Sequence, residues 1–223
     1  SFDKYIGWIA RNPVEGEEDV YRINDTKYVR IHMSKSQEGK LGVITDVTTD
    51  MMEKMRMRYE NTHDALTRLY KYRHFQQLAQ DILQNMPEGK LCAIAMLDLD
   101  YFKSINDTFG HDMGDKYLQS FAAVMNAMPS DHFLTARRSG DEFCMMIYNC
   151  DDKTQIIQCL EDFYAKLGQY QITLSDTQTR TISASTGFAW TTSSTEELSA
   201  LLSHADEALY QIKNTTKGTY GEY

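Results

Sequence analysis

Proline is scarce, with three in 223 residues, which argues against long disordered linkers. Cysteine is scarce and unpatterned. Cys92, Cys144, Cys150 and Cys159 form no C-x-x-C pair, and the six histidines are scattered, so no zinc site is written into the spacing. The thiols read as reduced, mostly core residues of a cytoplasmic protein. Long apolar runs are missing: the longest, Leu91–Leu97, has seven residues, against about 20 for a membrane-spanning helix. The expectation is no direct membrane contact from this chain. Basic charge is in deficit, 23 Lys and Arg against 32 Asp and Glu, which disfavours a broad nucleic-acid-binding face. A small anionic ligand held by a few lysines or a metal remains compatible with that balance. No signal peptide opens the chain, and its abrupt start is expected of a piece cut from a longer signalling protein, one that membrane anchoring elsewhere would suit.

What is present is a length and an apolar content of 42% that suit one globular domain with a small appendage. Residues 1–48 read as short strands: Val20–Asn24, Tyr28–Met33 and Leu41–Ile44, with turns at Asn24-Asp25 and Gln37-Glu38-Gly39-Lys40. Residues 49–63 read as an amphipathic connector helix, with Met51, Met52, Met55, Tyr59 and His63 at three- and four-residue steps. That helix either pairs with a second copy of itself or lies on its own domain. From Asp64 onward helices and strands alternate. Helices are expected at Phe75–Met86, ended by Gly89, and at Lys116–Met128, Thr154–Leu167 and Glu196–Lys213. Strands are expected at Leu91–Leu97, in a hairpin of Phe133–Ala136 with Phe143–Tyr148, and in a hairpin of Tyr170–Leu174 with Thr181–Trp190. The pattern predicts an α/β sandwich with a mixed sheet flanked by helices.

Four segments carry candidate chemistry. Asp98-Leu99-Asp100 follows the buried strand directly, at the sheet edge where α/β proteins bind ligands. Its carboxylates are hard donors suited to Mg²⁺, or else caps for a helix opening at Phe102-Lys103, where free N–H groups and Lys103 favour phosphate. Gly110 and Gly114, four apart, suggest backbone conformations that a side chain forbids. Asp115 then stands as a helix cap, or pairs with Asn106 to match the donor and acceptor edge of guanine. Arg137-Arg138-Ser139-Gly140-Asp141-Glu142 is a surface turn, unless Asp141 lies near Asp98, where repulsion of about 4 kcal/mol at close range would invite a divalent cation. Lys213 and Lys217 share a helix face; they suit the helix dipole or hold a triphosphate tail.

Taken together these segments resemble the GGDEF domain of diguanylate cyclases, over residues 64–223. The run D-x-D-x-F-K-x-x-N-D-x-x-G-H-x-x-G-D is met in full by Asp98, Asp100, Phe102, Lys103, Asn106, Asp107, Gly110, His111, Gly114 and Asp115. The opening motif is Asp64, Leu66, Thr67 and Leu69, the signature loop is Ser139-Gly140-Asp141-Glu142-Phe143, and the closing motif is Ala205, Asp206, Ala208, Leu209, Tyr210 and Lys213. The resemblance implies a fold like the nucleotidyl cyclase and polymerase palm, and a nucleotidyltransferase that condenses two GTP into cyclic di-GMP and two pyrophosphates. It implies Mg²⁺ or Mn²⁺, two per active site, on Asp98, the Leu99 carbonyl and Asp141, with Glu142 supporting the metals and Asp141 assisting 3′-hydroxyl deprotonation. Asn106 and Asp115 match guanine readers, and Lys103, Lys213 and Lys217 match phosphate contacts. Phe102 and Gly140 complete the substrate site.

Several positions depart from the family pattern. Ser139 replaces the first signature glycine, Arg68 replaces the glycine after Thr67, and Lys71 replaces an asparagine. Thr216 replaces a glycine, and Lys217 stands where arginine is usual. The inhibitory R-x-x-D is represented by Ser130 and Phe133, which predicts no tight product binding there. Residues 1–48, ending in Asp46-Val47-Thr48, resemble the last strands of a PAS sensor domain. The expectation is a cyclase that works as a homodimer, each subunit holding one GTP. The competing readings are a non-catalytic GTP-binding regulatory module, supported by Ser139, Thr216 and Lys217, and a purely interacting domain.

Overall fold

The computed structural model describes residues 2–36 and 39–223. The chain divides into a unit ending at Asn61 and a unit beginning at Thr62.

In the first unit, α1 (Phe2–Ile9) precedes an antiparallel meander of β1 (Val20–Asn24), β2 (Lys27–Ser36) and β3 (Gly39–Asp46). Eight residues with Gly7 inside are too few to announce α1 by periodicity. The Asn24-Asp25 turn forms because the Asn24 side-chain oxygen accepts from the N–H and hydroxyl of Thr26, at 3.0 and 3.2 Å. Gln37 and Glu38, half of the second expected turn, lie outside the described residues. At Asp46-Val47-Thr48 the chain passes from strand to helix. Asp46 accepts from the Thr48 N–H at 3.0 Å, while the Thr48 hydroxyl donates to the Tyr28 carbonyl at 3.2 Å. Helix α2 (Thr48–Thr62) then buries Met51 with Val20, Tyr28 and Val47. Met52, Met55, Met57 and Tyr59 stay 38–53% exposed.

The second unit is built on a six-stranded sheet in the order β11-β10-β5-β7-β6-β4. These strands are β4 (Tyr70–Lys71), β5 (Leu91–Leu99), β6 (Phe133–Ser139), β7 (Glu142–Cys150), β10 (Ala184–Thr191) and β11 (Tyr220–Glu222), with β8 (Gln171–Ser175) and β9 (Gln178–Thr181) forming a separate hairpin. Strand β5 runs antiparallel to both neighbours, whereas the edge strands β4 and β11 pair in parallel. Helices α3 (Tyr72–Gln84) and α7 (Leu198–Thr215) cover one face; α4 (Phe102–Phe109), α5 (His111–Asn126) and α6 (Lys153–Gln169) cover the other. Burial of β5 on both faces explains its continuous apolar run. Leu91, Ala93, Ala95, Leu97 and Leu99 join Tyr117, Phe121 and Phe163, while Cys92, Ile94 and Met96 join Phe75, Ala79 and Leu209.

The hairpin expected between Tyr170–Leu174 and Thr181–Trp190 is corrected. Strand β8 pairs with β9, and β10 leaves them to lie between β5 and β11. The break comes at Ile182-Ser183, where the Ser183 carbonyl accepts the Asp100 N–H at 2.9 Å and draws the chain into the main sheet. Helix α3 ends before Gly89, at Gln84, and α5 begins five residues ahead of Lys116.

Candidate active site

Strand β5 ends at one corner of the sheet, carrying Asp98, Leu99 and, one residue on, Asp100. The β6–β7 hairpin brings its tip to the same corner. Glu142 lies opposite both Ser139 and Asp98, the Leu99 N–H donates to the Asp141 carbonyl at 3.1 Å, and Gly140 turns the chain at φ +50°. Asp98, Asp141 and Glu142 therefore lie near one another, which for Asp98 and Asp141 is the condition on which the sequence argument for a divalent cation depended. From the last turn of α7, Lys213 places Nζ 2.8 Å from Asp98 Oδ2. Burial raises the Asp98 pKa, and the charges of Asp141 and Glu142 add to the rise, so the Lys213 ion pair offsets only part of it. Burial acts to lower the Lys213 pKa, but the hydrogen bond and charge of Asp98 outweigh it and the pKa is raised. The corner carries more negative charge than one ammonium neutralises.

Asp100 does a different job. It is 3% exposed and accepts from Ser183 Oγ at 2.6 Å and Ser185 Oγ at 2.8 Å, which fastens β10 to the end of β5. Neither aspartate caps α4, whose N-cap is Tyr101 in the left-handed region, with no side-chain cap bond. Phe102 opens the helix half-buried, its ring centroid 6.4 Å from that of Tyr117, and Lys103 follows exposed in the first turn.

Helices α4 and α5 meet at Gly110, with φ +83°. Gly114 is different: it is helical, and its lack of a side chain serves packing. A Cβ there would strike Asn106 Oδ1, so the bare backbone of α5 is what lets the Asn106 amide lie against it. Asp115 is the next residue. It is exposed and lies within α5, which Gly110 caps without a side-chain bond, so Asp115 is not a cap. The structure thus brings Asn106 beside the turn of α5 that carries Asp115.

The hairpin tip is held from behind by residues whose role the sequence did not reveal. Arg137 donates to the Gly140 carbonyl through Nε at 3.0 Å and Nη2 at 2.8 Å, and to Asp64 through Nη1 at 3.2 Å. Arg138 donates to Asp206 on α7 at 2.9 Å. Asp64 also accepts from the Thr67 N–H and hydroxyl, at 2.9 and 2.7 Å. Burial acts to raise its pKa, but Thr67 and Arg137 prevail and hold the carboxyl low. The nearest sequence signal was the Arg137-Arg138 pair before the turn; its two carboxylate partners are 73 and 68 residues away.

Known proteins share this sequence pattern and fold. The family profile described as "Diguanylate cyclase, GGDEF domain" matches residues 61–219. The chain belongs to the GGDEF family. Over 195 residues this GGDEF chain is 29% identical to "Probable diguanylate cyclase DgcE" of Escherichia coli (84% of this chain, 17% of the relative) and 28% identical to "Cyclic di-GMP phosphodiesterase PdeR" of the same organism (87% and 29%). It therefore spans less than a third of either relative. A solved structure of the coiled coil and GGDEF domain of DgcB from Caulobacter crescentus, in complex with c-di-GMP, superposes with a TM-score of 0.66 at 25% identity, over 78% of this chain and 95% of that one.

The departures from the GGDEF pattern have structural consequences of different sizes. Arg68 sits at φ +63°, a conformation natural to glycine and strained for arginine. Thr216 lies at φ −136°, which any residue adopts. Ser139 is outside the left-handed region, and its hydroxyl donates to Glu142 Oε2 at 3.1 Å. At the R-x-x-D positions, the Ser130 carbonyl accepts the Tyr148 hydroxyl at 2.6 Å and Phe133 is buried in the core. Among the described residues no group of three or more His, Cys, Asp or Glu forms a ready metal cage. A groove of about 980 Å³ between α3 and the start of α7, lined by Gln76, Gln80 and Ser203 among others, contains none of the site residues at the β5 corner. The candidate site at the end of β5 lies outside that groove.

Proposed function

We propose that this GGDEF domain condenses two GTP into cyclic di-GMP, releasing two pyrophosphates, in cyclic di-GMP signalling. The convergence of Asp98, Asp141 and Glu142 with Lys213 at the end of β5 carries the reading, because it combines excess negative charge with a cation. Mg²⁺ fits such a corner: it commonly binds one or two carboxylates and completes its shell with water and substrate phosphates, so a closed cage is not required. Asp98, the Leu99 carbonyl and Asp141 would hold the two Mg²⁺ or Mn²⁺ ions, with Glu142 in support. When bound, the metals neutralise the triphosphate and lower the pKa of the attacking 3′-hydroxyl.

The chain's own residues do the rest. Asn106 and Asp115 read the guanine edge, the Asp115 carboxylate accepting from N1–H and the N2 amino group. Phe102 packs beneath that helix start, and Gly140 leaves the hairpin tip without a side chain near the substrate. Lys103, at the first turn of α4, and Lys213 and Lys217 bind phosphate oxygens. Asp141 accepts the proton of the 3′-hydroxyl of one GTP as that oxygen attacks the α-phosphorus of the other. The bond to the bridging oxygen breaks in line and pyrophosphate leaves. Each subunit holds one GTP, so a homodimer is required; the exposed methionines of α2 suit pairing with a second copy. Residues 1–48 serve as the end of a PAS-like sensor, and 49–63 as the connector.

A second reading, a GTP-binding regulatory module, draws on the Ser139 bond to Glu142, which occupies a carboxylate oxygen at the metal corner. Incubation of concentrated protein with GTP and Mg²⁺, followed by chromatography, separates the two. Cyclic di-GMP made by the parent and not by Asp141→Ala supports the cyclase. GTP binding without product supports the module.

A further inference from the structure

Tyr101 is an aromatic residue in the left-handed region at φ +60°, and the residue is 51% exposed at the site corner. Two cations from different elements converge on that ring. Arg180 of β9 holds its guanidinium carbon 5.3 Å from the ring centroid, and Lys217, two residues past α7, holds Nζ at 4.7 Å. The two charges therefore lie no more than about 10 Å apart, within roughly one Debye length at ordinary salt. Among the described residues neither forms an ion pair, unlike Lys213, Arg137 and Arg138 of the same corner. The adjacent carboxylate, Asp100, is turned inward to Ser183 and Ser185. Like charges gathered on one exposed ring, in a chain of net charge −9, repel until an anion joins them.

We propose that Arg180, held beside Lys217 on the Tyr101 ring, is a further contact to the terminal phosphates of the bound nucleoside triphosphate, added in this chain to the lysines already assigned to phosphate. The proposal deepens the GTP reading and rests on it. Arg180 adds to the lysines a planar guanidinium that can take two phosphate oxygens at once. It comes from the β8–β9 hairpin, which supplies no other site residue. Two adjacent phosphate groups bridge a gap of this size more readily than a single phosphate does. The subsite therefore favours triphosphate over monophosphate.

The test is calorimetric titration of the full chain and of Arg180→Ala with three probes: 3′-deoxy-GTP, which lacks the attacking hydroxyl, 3′-deoxy-GMP, and inorganic triphosphate. The expected result is an approximately tenfold weaker Kd of the variant for 3′-deoxy-GTP and for inorganic triphosphate, an unchanged Kd for 3′-deoxy-GMP, and a shallower salt dependence for the triphosphates. Arg180→Lys, which keeps the charge, should recover part of the affinity. Tyr101→Leu, which removes the ring, should lose affinity for the triphosphates alone. Equal triphosphate binding by parent and Arg180→Ala overturns the proposal. So does a loss shared equally by the monophosphate, which would mark Arg180 as a structural prop. Failure of the parent to bind either guanosine phosphate would defeat the GTP reading; the subsite would then stand or fall on whether inorganic triphosphate binds the parent and not the variant.

Discussion

Asp98 shows a residue held against its own electrostatic preference. Its raised pKa means the folded state binds its proton more tightly than the unfolded state does. Its contribution to stability is therefore best below the ordinary carboxylate range, and it is lost as pH rises from there through the raised value. Asp98→Asn removes that cost. The variant should melt above the parent at neutral pH, the difference in Tm shrinking as pH falls below the window, while cyclic di-GMP formation drops at least ~100-fold. Melting curves across pH with a turnover assay check both halves; a variant less stable than the parent at neutral pH would show that the Lys213 pair outweighs burial.

Two further positions separate backbone from function. Arg68→Gly should gain about 0.5–1 kcal/mol, because the relief of left-handed strain exceeds glycine's entropic cost; denaturant unfolding measures it. Gly114→Ala meets only the end of the Asn106 side chain, which can swing away. Stability should hold, or rise by up to ~1 kcal/mol from helix propensity. Guanine recognition should suffer, with the preference for GTP over ATP reduced about tenfold or more in competition binding.

Among the elements, α7 has the most exacting seat. Ala205 and Ala208 let its backbone approach β10 at Gly187, where a Cβ would strike the Leu209 nitrogen and the Ala205 carbonyl. Backbone cannot swing aside as Asn106 can. Gly187→Ala should cost ~3 kcal/mol, lowering Tm by roughly 6–12 °C, and should also weaken phosphate binding, because α7 carries Lys213. Thermal melts beside nucleotide titration test this, and an unchanged Tm would refute the close seat. The β6–β7 hairpin is secured in another way. Its tip has little apolar area, so Arg137 and Arg138 tie it by charge to Asp64 and Asp206, at two points far apart in the chain.

For the whole molecule, the proposed chemistry needs two GTP from two subunits. Specific activity should therefore rise with protein concentration below the dimer dissociation constant and level off above it. Initial rates over a hundredfold range of concentration, beside sedimentation, provide the check. A flat profile from a monomer would defeat the two-subunit scheme.

The central strand, the α/β layering and the D-x-D-x-F-K run were legible because they are local. A seven-residue apolar stretch between Lys90 and Asp98 has few folded solutions, and motif spacing survives without coordinates. Other conclusions required the fold. Asp100 and Asp98 look alike in sequence, yet one fastens β10 and the other faces Lys213, because the hydroxyls of Ser183 and Ser185 both turn to Asp100 while α7 brings Lys213 to Asp98. Gly110 and Gly114 look alike too, but the first serves a turn and the second an approach between helices. The Arg137–Asp64 pair and the gathering of Arg180 and Lys217 on Tyr101 join residues far apart in sequence, and no spacing rule reaches across a chain whose direction is set by sheet pairing. Thus the chain by itself determined which chemical groups are available and in what local order. Tertiary packing decided which of them touch, because burial and charge act through space and the route between two residues is a property of the whole sheet.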